Sequence, residues 1–98
     1  MKVDIQSIHF DADQKLEARI NTKVSKLNTF YDPILGANVN LRLDKSETRE
    51  NKVAELKVLV TGSEMFSKRQ AISFEEAFDQ AYEAVRNQLV KHKEKTRT

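Results

Sequence analysis

The side chains best supplied for chemistry here are lysines and arginines, and two groups of them keep a helical rhythm. Lys15, Arg19, Lys23 and Lys26 are separated by 4, 4 and 3 residues. At about 100° per residue that spacing forms one continuous basic ridge on a helix. A second group, Arg86, Lys91, Lys93, Lys95 and Arg97, lies near the end of the sequence. Arg86 and Lys93 are seven residues apart, hence on one side of a helix, and Arg97 continues their line. Lys91 and Lys95, four apart, form a parallel line. Rows of cations neutralise rows of anions, and a nucleic-acid backbone is such a row. All nine are therefore candidate RNA-binding residues. The charge is also segregated: residues 15–26 carry +3, residues 86–98 carry +4 and the remainder −5, behind a net charge of only +2. Such a distribution makes a field with direction, which a polyanion-binding domain requires.

Other chemistries lack the residues they need. With no cysteine there is no thiolate nucleophile, no disulfide and no cysteine-based metal site, which fits a reducing cytoplasm. His9 and His92 stand near opposite ends, and nothing follows a metal-ligand spacing such as H-E-x-x-H. A phosphate-cradling loop needs clustered glycines, whereas Gly36 and Gly62 stand alone. Glu75, Glu76, Asp79 and Glu83 form a carboxylate cluster, read as acids that stabilise a helix N-terminus and solvate its outer face. No catalytic residue, metal, cofactor or small-molecule substrate is expected. Met1 and Lys2 lead directly into an alternating segment, and no run approaches the roughly 18 apolar residues of a membrane span. The expected setting is the cytoplasm, with no membrane partner.

These cations must be positioned by a small set of elements. Val3 and Ile5 alternate with polar residues, giving a strand. Asp13 is placed to cap a helix whose apolar stripe is Leu16, Ile20, Val24, Leu27 and Tyr31, ended by Asp32-Pro33. Gly36 is expected to allow a turn. Val39, Leu41 and Leu43 make a second strand, and residues 44–51 a polar loop. Ala54, Leu56, Val58 and Val60 make a third, followed by the hairpin signal Thr61-Gly62-Ser63. The fourth strand is expected over residues 65–72, with Val60 opposite Met65 or Ser63. Met65, Ser67 and Ala71 then face inward, and Phe66, Lys68 and Gln70 outward. Ser73 with Glu76 is a capping box for a second helix, whose stripe is Phe74, Phe78, Ala81, Val85 and Leu89.

Ninety-eight residues suit a single domain over 1–98. The order β-α-β-β-β-α makes strands one and two parallel, the others an antiparallel meander. Each element has one apolar face, so the expected class is α+β: a two-layer α/β sandwich, a four-stranded mixed sheet with both helices on one face. The groove between the helices would then be a positive channel, with Glu17 the one acid able to screen the first ridge. The basic tail from about residue 91 lies past the last core residue, Leu89, and is expected to fray after about residue 92. A rival RNA surface is the outer sheet face, where Phe66 lies among Lys57 and Lys68, although an edge-strand hydrophobe is the simpler reading of that ring. Two rival functions accompany it, a generic double-stranded-RNA-binding domain and a module that binds partners along its fourth strand.

Three segments resemble a known family. Lys23-Val24-Ser25-Lys26-Leu27 with Phe30-Tyr31-Asp32 is similar to the end of the first helix of the ribosome hibernation-promoting factors, also called ribosome-associated inhibitors. Ser73-Phe74-Glu75-Glu76-Ala77-Phe78-Asp79 resembles the start of their second helix, and Gln88-Leu89-Val90-Lys91-His92-Lys93-Glu94-Lys95 their basic C-terminal stretch. The resemblance implies a translation inhibitor of the short form, without the C-terminal dimerisation domain and monomeric when free. Its partner would be the rRNA of the small ribosomal subunit, in the channel between head and body. There it would occupy the places of messenger and transfer RNA and promote ribosome hibernation in stress or stationary phase. The family's RNA-contacting lysines fall on Lys23, Lys26, Lys91, Lys93 and Lys95, with Arg86 on the same side. The charged loop of residues 44–51 and Lys68-Arg69 depart from the family pattern.

Overall fold

A computed structural model describes residues 2–8, 11–31, 34–44 and 49–95. His9, Asp32-Pro33, Arg97 and part of the loop at 44–51 lie outside the described residues, and so do the expectations that fall on them. The elements are β1 (Lys2–Ile8), α1 (Gln14–Phe30), β2 (Ile34–Leu43), β3 (Lys52–Val60), β4 (Ser63–Ala71) and α2 (Phe74–Lys95). Asp13 caps α1 by accepting the Leu16 amide proton at 2.7 Å, and the Tyr31 amide donates to the Leu27 carbonyl at the other end. Ser73 Oγ accepts the Glu76 amide proton at 3.1 Å at the start of α2.

The strands lie in the order β1-β2-β3-β4, with β1 parallel to β2 and the other pairs antiparallel. Val60 stands opposite Ser63 across the Thr61-Gly62 turn, where Gly62 has φ +77°, so the Ser63 register is the one formed. Met65, Ser67 and Ala71 are accordingly buried and Phe66, Lys68 and Gln70 exposed. Gly36 is not a turn residue. It lies inside β2, opposite Lys2, at a register shift, and a Cβ there would sit 3.3 Å from the Lys2 carbonyl oxygen. A glycine is needed because the β1 backbone passes close by. Leu43, expected to face inward, is 44% exposed because it lies at the strand end.

Helix α1 packs on β1 and β2, and α2 on β3 and β4, so both cover one face of the sheet. A continuous core results, in which Ile20, Val24, Val39, Leu41, Leu56, Val58, Phe78, Val85 and Leu89 are fully buried. Among the described residues no helix is long and apolar enough to cross a membrane.

The edge of β4 is partly closed by α2. The Phe66 amide donates to Gln88 Oε1 at 3.1 Å, and Gln88 Nε2 donates to the Phe66 carbonyl at 2.8 Å. A side-chain amide thus takes both backbone groups that an added strand would use there, which counts against partner binding along β4. Phe78 fills the middle of the core, so Phe78→Ala is expected to lower stability by about 3–5 kcal/mol in urea unfolding. A loss under about 1 kcal/mol would mean that the two layers are not held together at this ring.

Candidate nucleic-acid interface

The first ridge forms as its spacing requires. Lys15, Arg19, Lys23 and Lys26 line a shallow trough of about 460 Å³ on α1, whose remaining lining is the small side chains of Ala18 and Thr22. Lys15, Arg19 and Lys26 are exposed, and Lys23 is half-buried.

The ridge is not free of acids. Arg19 Nη2 lies 2.6 Å from Asp79 Oδ2, and Lys23 Nζ lies 2.9 Å from Asp79 Oδ1. The expectation that Glu17 alone could screen the ridge is therefore wrong. Asp79 comes from α2, next to the buried Phe78, and so stands at the border of that helix's apolar stripe. The ridge borders the stripe of α1 in the same way. Flanks of two stripes packed on one sheet face each other across the groove, which brings the carboxylate between the two cations. Lys23 Nζ also lies 5.4 Å from the centre of the Tyr82 ring. Burial pushes the Asp79 carboxyl up, but hydrogen bonds and charge from Arg19 and Lys23 outweigh it and hold the group below its usual 3.8.

The second group meets the end of α1. The Arg86 guanidinium lies 5.4 Å from the centre of the Phe30 ring and Lys93 Nζ 5.0 Å from it, as their seven-residue spacing allows. Lys93 Nζ also donates to the Phe30 carbonyl at 3.4 Å. This is a favourable place for a cation, since the last turn of α1 carries no basic residue of its own. His92 packs edge-on against Tyr31, with ring centres 5.7 Å apart. α2 runs on through Lys95, past the point near residue 92 where fraying is expected, with Phe30 and Tyr31 packed against its last turns. Lys91 and Lys95 are exposed beside them.

Contacts from Arg19 to Asp79, Lys23 to Tyr82, Phe30 to Arg86 and Tyr31 to His92 advance along both helices together. The helices thus run side by side in the same direction. Their C-terminal halves lie together. Arg86 and Lys93 face Phe30 of α1, beyond Lys26. Lys91 and Lys95 follow Gln88 on the flank of α2 turned toward β4, and Glu75 and Glu76 lie at the opposite end. The outer sheet face is different in kind. Its cavity of about 320 Å³ is lined by Asp4, Gln6, Asn38, Asn40, Glu55, Lys57 and Phe66, and Glu55 is bonded to Arg42. Acids and amides among the cations leave no row of positive charge there. Among the described residues no group of His, Asp and Glu could hold a metal ion.

Fold and charge together define a small two-layer α+β domain that presents cations along one pair of parallel helices. The family model described as sigma 54 modulation protein / S30EA ribosomal protein matches residues 3–97. The chain belongs to this family and so to a class of ribosome-associated proteins. No curated protein matches the sequence. Among solved structures, a ribosomal subunit interface protein from Coxiella burnetii superposes with a TM-score of 0.83 at 16% identity, over 95% of this chain and 98% of that one. The N-terminal domain of Protein Y from Thermus thermophilus gives 0.80 at 18% identity, over 94% and 99%. At these identities the likeness establishes the fold.

The Asp79 pairs tie α1 to α2, and their sign with pH is fixed. A carboxyl held low in the folded state adds stability that is present above the unfolded value and is lost as pH falls through the folded value. Asp79→Asn is thus expected to lose about 1 kcal/mol or less at neutral pH. Its unfolding free energy should also fall less steeply than the parent's as pH drops below 3.8, the ordinary value for the group. Parallel pH profiles for the two proteins would show that the carboxylate is not held by these cations.

Proposed function

We propose that this protein is a translation-silencing factor that binds the small ribosomal subunit in the channel between head and body. The observation that carries the reading is the run of cations along the C-terminal halves of two parallel helices, from Lys26 to Arg86 and Lys93 beside the groove and Lys91 and Lys95 on the outer flank of α2, on a chain of the S30EA family. The likeness in fold to a ribosomal subunit interface protein, that of Coxiella burnetii, supports it.

The mechanism is steric and electrostatic, without bond chemistry. Exposed Lys15, Lys26, Lys91 and Lys95 meet rRNA phosphates and release condensed counterions. Arg86 and Lys93 are oriented by the Phe30 ring, which fixes two charges that would otherwise sit on flexible stems. Arg19 and Lys23 join when their carboxylate partner yields, and Arg97 extends the same line in the sequence. The body of the sandwich then fills the path of messenger RNA and the places of transfer RNA. A factor of this kind works in the cytoplasm, needs no cofactor, is monomeric when free and acts in stress or stationary phase. The uneven charge of the two faces favours the helices over the outer sheet as the RNA side.

The test is co-sedimentation with purified small subunits through sucrose gradients at several salt concentrations. Lys26→Ala with Lys91→Ala removes two exposed charges that have no ion-pair partner among the described residues. Binding should weaken, and the slope of log affinity against log salt should fall by about 0.7–0.9 for each phosphate that is no longer neutralised. Stability should stay within about 0.5 kcal/mol of the parent, as for most surface substitutions. Unaltered binding and slope would remove the helix ends from the interface.

A further inference from the structure

We infer that Asp79 is a built-in competitor for the phosphate that the α1 trough receives, so that RNA binding proceeds by exchange of ion-pair partners. The inference rests on the proposal that the helices face RNA and adds a residue that opposes binding.

The geometry gives the competitor its place. One carboxylate presents an oxygen to each of two neighbouring cations, at 2.6 Å to Arg19 and 2.9 Å to Lys23. A phosphate group offers the same pattern, two anionic oxygens for two donors. Both cations line the trough together with Lys15 and Lys26, and Ala18 and Thr22 leave room between them. Asp79 is not itself part of the trough lining, but from its α2 side it holds two of the four cations that a phosphate there would meet. The Arg19 side is open to exchange, because the Arg19 and Asp79 side chains are 44% and 33% exposed, whereas Asp79 Oδ1, which faces Lys23, is buried.

Exchange has a direct consequence for affinity. Lys15 and Lys26 meet a phosphate with no ion pair among the described residues to break. Arg19 and Lys23 must first give up Asp79, so their contribution to binding is the difference between two ion pairs. On dissociation the carboxylate is in place to recapture both cations, which hastens release. Fewer counterions are exchanged as well, because the single Asp79 carboxylate already offsets one of the trough's four positive charges. A protein that has to leave its target when conditions change gains from such a device.

The experiment compares Asp79→Asn with Glu83→Gln. Glu83 is an exposed acid one turn further along α2, so its substitution removes the same charge without touching the ion pair. Both proteins are measured on purified small subunits and on a plain RNA duplex across salt concentrations, with thermal unfolding confirming that each is folded. Asp79→Ser is a second variant in case the asparagine disturbs packing. The expected result is that Asp79→Asn binds subunits about three- to tenfold more tightly than Glu83→Gln does, the weight of two partly exposed ion pairs. The gain should lie mainly in slower dissociation, with a salt slope steeper by the equivalent of about one further phosphate. It should vanish when Arg19→Ala and Lys23→Ala are also present. Equal affinity of the Asp79 and Glu83 variants overturns the inference, and so does weaker binding by Asp79→Asn, which would make the carboxylate a support for the two cations. If Lys26→Ala with Lys91→Ala leaves subunit binding and its salt slope unchanged, the helix-facing reading itself fails. The duplex measurement still reports then whether Asp79 competes with phosphate.

Discussion

Two amphipathic helices that cover one face of a four-stranded sheet must lie side by side, and every charged feature of this protein is arranged around that contact. The crossover from β1 to β2 sets the direction of α1, and the meander that follows returns α2 to the same direction. Parallel helices bring like ends together. Here that means two C-termini, each with unsatisfied carbonyls and partial negative charge, next to one another. Lys93 answers this locally by donating to the Phe30 carbonyl. The excess of cations beyond that need leaves a positively charged surface, the one proposed above to meet RNA. The acid-rich N-terminal half of α2 keeps the net charge small without weakening the field at the far end.

The same contact explains why the groove is less positive than a count of its lysines suggests. Cations that flank a buried stripe are close to whatever flanks the neighbouring stripe, and here that is Asp79. Stability and binding draw on the same groups at this point. The ion pairs that tie α1 to α2 in the free protein occupy two of the cations that a phosphate would use. Arg86 and Lys93 are arranged the other way: both cations pack over the Phe30 ring. The surface thus combines freely available cations, cations held in place by an aromatic ring and cations held in reserve by a carboxylate.

Much of the fold is legible in local pattern. Asp13 and Ser73 mark helix starts by hydrogen bonds that span three residues, and strict alternation from Ala54 to Val60 fixes β3 and its inward face. The inward set on the weakly alternating β4 follows from the turn at Gly62, because a two-residue turn fixes register. Gly36 is easily misread, because a glycine required by close backbone approach looks the same in sequence as one required by a turn. The basic ridge is visible for the reason β3 is, a repeat along one element. Its masking by Asp79 is not, since that pair joins residues 60 apart in sequence. The anchoring of the last turns of α2 by Phe30 and Tyr31 is hidden in the same way. Elements and their faces are local properties, whereas what lies across a groove depends on how two helices are laid together.

The most direct test of the account is a structure of the protein bound to the small ribosomal subunit, determined by electron cryomicroscopy. Density for the domain is expected between head and body, with α1 and α2 toward the rRNA. Lys26, Lys91 and Lys95 should lie within reach of backbone phosphates, and the outer face of the sheet should turn away from them. Density at another site, or a domain that presents Phe66 and the outer sheet to the rRNA with its helices in solvent, would contradict it.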